Sequence, residues 1–491
     1  SAEHDLNLSS STNSQVNAQG RTTNIARLAG LYVTGSEGTL LAFSGNDFNL
    51  AAADISSAGS TALAAGHNLN FNTVSTQETH NIAWDSQNQR SDATRQDVGN
   101  NIKTNGDLSL IATNDLTARA ASLSSIQGNI SLTVGNNLSL TTGQTEQTVD
   151  EAHYHKEKGF LSSKSINTRD KTDRTTALAT TISGNSVNLN AGNDLSVTGS
   201  NVASTKDINL TAGNNVTIDA VKQTNNEVHL IREKKSGLLS SGGIGFTIGS
   251  QIQTTIDDAD NIINLASTIG STDGNVTINA DKTYTQTGSD VLALKGDIDI
   301  TAQKVAIQNA IDTSDNEHTT KFKQSGLTVA LSSPVISAVQ TVQQMKKASS
   351  ESPDPRLKAL ALATAAVAAK NGYDAVQADP EAGGSVSLSI TVGSSSSKSI
   401  TTQTSQTVAG STVSAGGNIA IKAIGDDKKS SMTVQGSDVS AGHDVSLKAD
   451  GDINLLAAAN TADLHTTRSS KSCGVGVAIT YGSDGAAFGV T

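Results

Sequence analysis

The residues with the most obvious chemistry lie between Glu151 and Glu157, where His153 and His155 stand two apart. On a strand, positions i and i+2 share one side, and imidazole with carboxylate suits zinc. No cysteine or further histidine is near in sequence, and the chain's other polar stretches carry single histidines. A solvated polar stretch fits better, and no metal is expected. Gly242-Gly243-Ile244-Gly245 lacks the Gly-Lys-Ser/Thr ending of a phosphate loop. It also lacks the Asp of calcium-binding nonapeptides. No Gly-x-Ser-x-Gly elbow occurs, and Cys473 sits in a Gly/Val strand as a small packing residue. Asp257-Asp258 and Asp426-Asp427 read as solvated loops. No catalytic residue and no cofactor are expected, and the chain reads as no enzyme.

A different pattern recurs. A polar stretch with a histidine and basic residues leads into a Gly-rich alternating strand. Lys234 and Lys235 precede Gly237, Leu238 and Leu239, then Ile244, Phe246 and Ile248. His465, Arg468 and Lys471 precede Gly474, Val475, Val477, Ile479 and Tyr481. His153–Lys156 leads to Gly159, and His318–Lys323 leads to Gly326, Leu327 and Val329. Val386, Leu388, Ile390 and Val392 read as a member without the basic lead. Strands with an apolar face and a Gly/Thr face match outer-membrane strands, which alternate a lipid face with a polar one. The basic residues before them suit anionic lipid or lipopolysaccharide. Two readings stand: these excursions insert into a membrane, or they pack as hairpins on a neighbouring scaffold with Lys and Arg guarding exposed edges.

The scaffold is legible in Gly184–Ala220. Val187 and Leu189, Leu195 and Val197, Ile208 and Leu210, and Val216 and Ile218 form i, i+2 apolar pairs. Gly192-Asn193-Asp194 and Gly213-Asn214-Asn215 separate them, residues suited to sharp corners. The phrase returns at Gly45, Gly66, Gly106, Gly128, Gly135, Gly274, Gly296, Gly417, Gly442 and Gly451. A period of roughly 20–25 residues signals a solenoid. The Leu-x-x-Leu-x-Leu scaffold of leucine-rich repeats is absent. The expected fold is all-β, a right-handed parallel β-helix. Roughly 20 turns at ~4.8 Å give a rod of about 100 Å.

The expected organisation is β-helix over 1–332, with excursions near 76–105, 145–183, 222–270 and 310–332. An α-helical hairpin is expected over 333–382, where Asp354-Pro355 caps an Ala-rich run. β-helix and a last excursion fill 383–491.

Composition agrees with a thin core. Aromatics are 3% of the 491 residues and hydrophobics 35%. A net charge of −12 argues against nucleic acid as a partner. One cysteine excludes an internal disulfide. No signal peptide or apolar run long enough for a membrane helix is visible, and the chain reads as a fragment of something longer.

The Gly-Asn-Asp-Leu and Gly-Asn-Asn-Val coils resemble the repeats of filamentous haemagglutinin. So do Lys234–Gly245 (KKSGLLSSGGIG) and the Ala369–Gln377 helix end (AKNGYDAVQ). The chain looks like the second repeat region of large exoproteins of two-partner secretion, including contact-dependent growth inhibition effectors. That resemblance covers essentially the whole chain. It implies a secreted, cell-surface rod, monomeric, that is exported through an outer-membrane transporter and held in the periplasm before contact. It also implies delivery of a C-terminal toxin across the outer membrane of a neighbouring cell. A shaft displaying an adhesin to host surfaces is the alternative, and a β-helical polysaccharide hydrolase a weaker third. That last class needs carboxylates aligned on one face, and here they scatter at corners.

Overall fold

The computed structural model describes residues 1–35, 38–240, 245–332, 386–482 and 485–490. Strands dominate. Three parallel sheets of 11, 10 and 10 strands run side by side, and a fourth, antiparallel sheet has 12 strands.

One coil shows why the parallel part forms. Thr181–Gly184, Val187–Ala191 and Leu195–Thr198 each contribute a strand to a different parallel sheet. The next coil repeats them as Asn201–Ser204, Ile208–Ala212 and Asn215–Asp219. The apolar pairs stack in register: Val187 on Ile208, Leu189 on Leu210, Leu195 on Val216 and Val197 on Ile218. All eight are buried. No coil could bury them alone, and stacking makes one continuous, mainly aliphatic core from Leu40 to Val434, with Phe48, Phe71 and Tyr284 inside it.

The corners explain the Gly-Asn phrase. A Cβ on Gly213 would collide with the carbonyl oxygen of Gly192 one coil back, and one on Gly192 with that of Gly135. Close backbone approach, repeated coil after coil, keeps glycine there. The polar residues form ladders. Asp194 Oδ1 accepts from the Asn215 backbone N–H at 3.1 Å and from Asn214 Nδ2 at 2.9 Å.

The rod is a parallel β-helix, but it is shorter than the sequence period implies. Its longest stack has 11 strands, about 48 Å at ~4.8 Å per step, not roughly 20 turns. The difference lies in the antiparallel sheet, which takes up long tracts between coils. The helical hairpin expected at 333–382 lies outside the described residues. Among the described residues the helical element is the short turn Asp427–Lys429, and no helix is long and apolar enough to cross a membrane.

The excursions form hairpins that do not stand alone. They pair edge to edge into one sheet: Gln89–Val98 with Gly143–Lys158, Ser162–Leu178 with Val221–Ser240, Gly245–Leu265 with Ala310–Ser332, and Val386–Ala409 with Thr461–Gly482. Val386–Val392 is therefore not a separate excursion. It belongs to the return strand of the hairpin that Ala310–Ser332 opens. Strand length grows along the rod, from 7 residues in Ser11–Asn17 to 16 in Gly143–Lys158 and 24 in Val386–Ala409. At ~3.4 Å per residue the longest strands reach about 80 Å. Most side chains on both faces are exposed or half-buried, as along Ser162–Leu178. A single layer with two wet faces is held by its ladders and cross-strand pairs. Near its base, the buried Asp97 accepts from Arg119 of the rod at 2.6 Å, from Ser75 at 2.9 Å and from the Gln144 N–H at 3.1 Å. Burial raises its pKa, but these donors outweigh burial and hold the carboxyl below its usual range.

Candidate functional site: a creased amphipathic lobe

The antiparallel register aligns residues that lie far apart in the chain. Gly237, Gly249, Gly326, Gly393 and Gly474 are directly opposite one another on five successive strands. A Cβ at Gly249 would meet the carbonyl oxygen of Ser325, and one at Gly393 that of Cys473. Gly237 has φ +105°, in the region that favours glycine. Side-chain contacts cross this row. Gln324 Nε2 lies 3.5 Å from Thr247 Oγ1, which itself meets Thr328 Oγ1 at 3.0 Å. Gln324 and Thr328 would stand ~13 Å apart along a flat strand. The sheet is therefore folded sharply at the glycine row. The inner side is a groove of about 270 Å³, lined by Gln324, Thr328, Thr391, Ser395, Ser472 and three of the glycines, Gly326, Gly393 and Gly474.

Beyond the crease lies a distal lobe with two unlike faces. The first row past the glycines is Leu238, Ile248, Leu327, Val392 and Val475. The second is Leu239, Thr247, Thr328, Thr391 and Gly476. The third is Phe246, Val329, Ile390, Val477 and Val490, with Ser240 opposite Phe246. Gly245, Ala330, Ser389, Ala478 and Gly489 follow, then Leu331, Leu388, Ile479 and Phe488. Alternate rows share a face, so one face is almost wholly Leu, Ile, Val and Phe, and the other Gly, Ala, Ser and Thr. On the apolar face Val475 is 71% exposed and Phe488 79%, while Leu327, Val329, Ile390 and Ile479 are half-buried. Gly474 to Gly482 spans ~27 Å at ~3.4 Å per residue, the height of an outer-membrane strand's apolar band.

Toward the rod, the same face turns basic. Lys234, Lys323 and Lys471 share a row three residues before the glycines, and Lys156 joins it through Ser165. Arg232, Lys321 and Lys398 occupy the row two further back. Lys235 faces the other way. There it and Lys164 clamp Glu233 at 3.3 and 2.9 Å, and the Lys164 bond leads in holding that carboxyl below its usual range.

Of the residues singled out in sequence, Lys234, Leu238, Phe246, Ile248, Val475, Val477 and Ile479 come to one face. Gly237 sits in the crease and Leu239 and Lys235 on the opposite face. Tyr481 continues its strand opposite Val386, and Ile244 lies outside the described residues. Gly249, Gly393, Arg232 and Lys398 escaped sequence reasoning, because strand pairing alone brings them to the site.

The histidines are used in pairs. His229 Nδ1 meets Asp170 at 2.9 Å, and His80 Nδ1 meets Asp92 at 2.9 Å. Each carboxylate raises its partner's pKa through that hydrogen bond. His153 bonds Glu151, His155 bonds Glu157, and Trp84 stacks on His153 with ring centroids 5.4 Å apart. Among the described residues no group of three or more His, Cys, Asp or Glu could hold a metal ion.

A family model described as hemagglutinin repeat matches residues 83–238, 161–326 and 392–491. The "tRNA nuclease CdiA" of Escherichia coli (strain STEC_O31) is 36% identical over 376 residues, 74% of this chain and 11% of that protein. The "Deoxyribonuclease CdiA" of Dickeya dadantii (strain 3937) is 34% identical over 389 residues, 78% of this chain and 12% of that protein. The "Deoxyribonuclease CdiA" of Yersinia pseudotuberculosis serotype O:3 (strain YPIII) is 37% identical over 270 residues, 54% of this chain and 25% of that protein. The chain thus spans a tenth to a quarter of these relatives' length. No solved structure matches. Stacked Gly-Asn coils, hairpins joined into one sheet and the matched segments agree: the chain belongs to the hemagglutinin repeat family, in its CdiA-like, filamentous haemagglutinin-type branch.

Proposed function

We propose that this chain is the non-catalytic delivery segment of a secreted exoprotein, carrying a C-terminal toxin across the outer membrane of a neighbouring bacterium. The observation that carries this reading is the distal lobe. Six strands from three hairpins place apolar and small residues in alternating rows, and the longest of them past the crease, Gly474–Gly482, has the length of an outer-membrane strand's apolar band. The rod supplies stiffness and holds the hairpins in register. The lobe enters the target membrane, with its apolar face to lipid and its Gly/Ser/Thr face to the passing chain. The named activities of the relatives differ, from tRNA nuclease to deoxyribonuclease, while this segment is common to them. That supports placing the chemistry elsewhere in such proteins. Export through an outer-membrane transporter and a pause in the periplasm complete the route.

The test is a competition assay with the full toxin-bearing protein. Val475→Asn with Val477→Asn puts amides on the apolar face at positions already exposed, so folding and surface display are retained. Killing of target cells falls at least tenfold. Val16→Asn, at an exposed apolar position near the rod's start, leaves killing unchanged. Full killing by the double variant contradicts the proposal. An adhesin shaft is the second reading, favoured by the family's description alone.

A further inference from the structure

Lys156, Lys234, Lys323 and Lys471 stand on every second strand of one sheet face. At ~4.8 Å between strands they repeat every ~10 Å. Lys321, Lys323, Lys398 and Lys471 line one hollow of about 340 Å³, floored by Ser396, Ser397, Ser469 and Ser470. Between the crease and Leu230's row, no carboxylate shares that face among the described residues. The acid nearby, Glu233, points the other way and is already held by Lys164 and Lys235. So a chain of net charge −12 concentrates on one strip cations with no carboxylate on their face among the described residues, an arrangement that costs folding energy through like-charge repulsion. Serine hydroxyls between the ammonium groups add donors suited to phosphate oxygens.

The strip's position says what neutralises it. On the same face it is followed, across one row of Ser236, Ser250, Ser325, Ser394 and Cys473, by the apolar rows beyond the crease. A nucleic acid duplex would leave Leu238, Ile248, Val392 and Val475 against its phosphates or in water. A lipid leaflet satisfies both zones at once, with acyl chains against the apolar rows and charged headgroups against the lysines.

We propose that the lysine strip is a binding site for phosphorylated glycolipid headgroups, of the lipid A class, in the leaflet that the lobe enters. The inference rests on the membrane reading above and adds its ligand. Headgroup binding precedes insertion, because the strip is accessible before the crease or the lobe moves. It sets the depth at which the lobe stops.

Two double variants with the same charge change make the test. Lys323→Gln with Lys471→Gln alters the strip, and Lys164→Gln with Lys235→Gln alters the opposite face. Flotation with vesicles containing lipopolysaccharide is compared with vesicles of phosphatidylcholine, phosphatidylglycerol, or lipopolysaccharide stripped of its lipid A phosphates. The strip variant loses roughly tenfold or more in binding to intact lipopolysaccharide vesicles, and the opposite-face variant less than twofold. Raised salt weakens the native protein toward the strip variant. Equal loss in both variants, equal binding to dephosphorylated vesicles, equal binding to phosphatidylglycerol, or tighter binding to duplex RNA than to lipopolysaccharide each overturns the proposal. The membrane reading is scored separately, by protease protection of the lobe in the same vesicles. Loss of protection with lysine-dependent binding intact would sink insertion alone, and protection without lysine dependence would sink the headgroup site alone.

Discussion

Asp170 and His229 face each other across two strands at 2.9 Å, and His80–Asp92 and His318–Asp257 repeat the pairing elsewhere on the sheet. The imidazole's pKa is raised, first by its hydrogen bond to Asp170. A group whose pKa is higher folded than unfolded contributes stability that is complete below the unfolded value, ~6.5 for histidine. That contribution is lost as pH rises through the folded value. The ring is about half in solvent, so the term is on the order of 0.5 kcal/mol. His229→Ala therefore lowers the sheet's melting midpoint at pH 5.5, and by less at pH 8.5. Circular dichroism melts of both proteins at the two pH values check this. An equal or larger deficit at pH 8.5 contradicts the assignment.

At the scale of elements, the crease is the feature that distinguishes this sheet from a flat ribbon. The glycine at position 249 is required by close approach, since any Cβ there meets the Ser325 carbonyl. Gly249→Val forces the strands apart at the crease, at a cost of about 1–3 kcal/mol. The expected outcome is faster amide hydrogen exchange over Gly245–Gly249 and Gly326–Ala330, with exchange in the coils unchanged. Uniform protection in native and variant proteins would mean the crease tolerates a side chain. The coils were readable in sequence because each Gly-Asn corner and i, i+2 pair reports its own local geometry. The lobe was half readable. Val475, Val477 and Ile479 alternate plainly, and Lys-x-x-Gly recurs at Lys156, Lys234, Lys323 and Lys471. What could not be read is the pairing. Gly249 and Gly393 lie on return strands, where the order is reversed and no basic lead marks them. Their place in the row depends on antiparallel register across tracts distant in sequence. The rod's length was overestimated for the same reason, since polar Thr/Ser-rich tracts give no sign that they extend away from the coil stack.

At the scale of the molecule, two architectures share one chain. A parallel stack with a buried aliphatic core gives direction and stiffness, and an antiparallel sheet with almost no core projects from it and lengthens toward the C-terminal side. The rod sets the strand order, so the lobe's strands meet already paired, with their backbone groups satisfied. Paired strands can enter hydrocarbon without exposing unsatisfied backbone, apart from the outer edges. The central claim is that this lobe inserts. Limited proteolysis of the purified chain bound to outer-membrane vesicles, read by mass spectrometry, tests it most directly. Insertion predicts that peptides covering Gly245–Gly249 and Gly474–Gly482 survive protease while the coils' exposed corners are cut, and that detergent abolishes this survival. Digestion of those peptides at the same rate as in free protein, with vesicle binding confirmed, would contradict it.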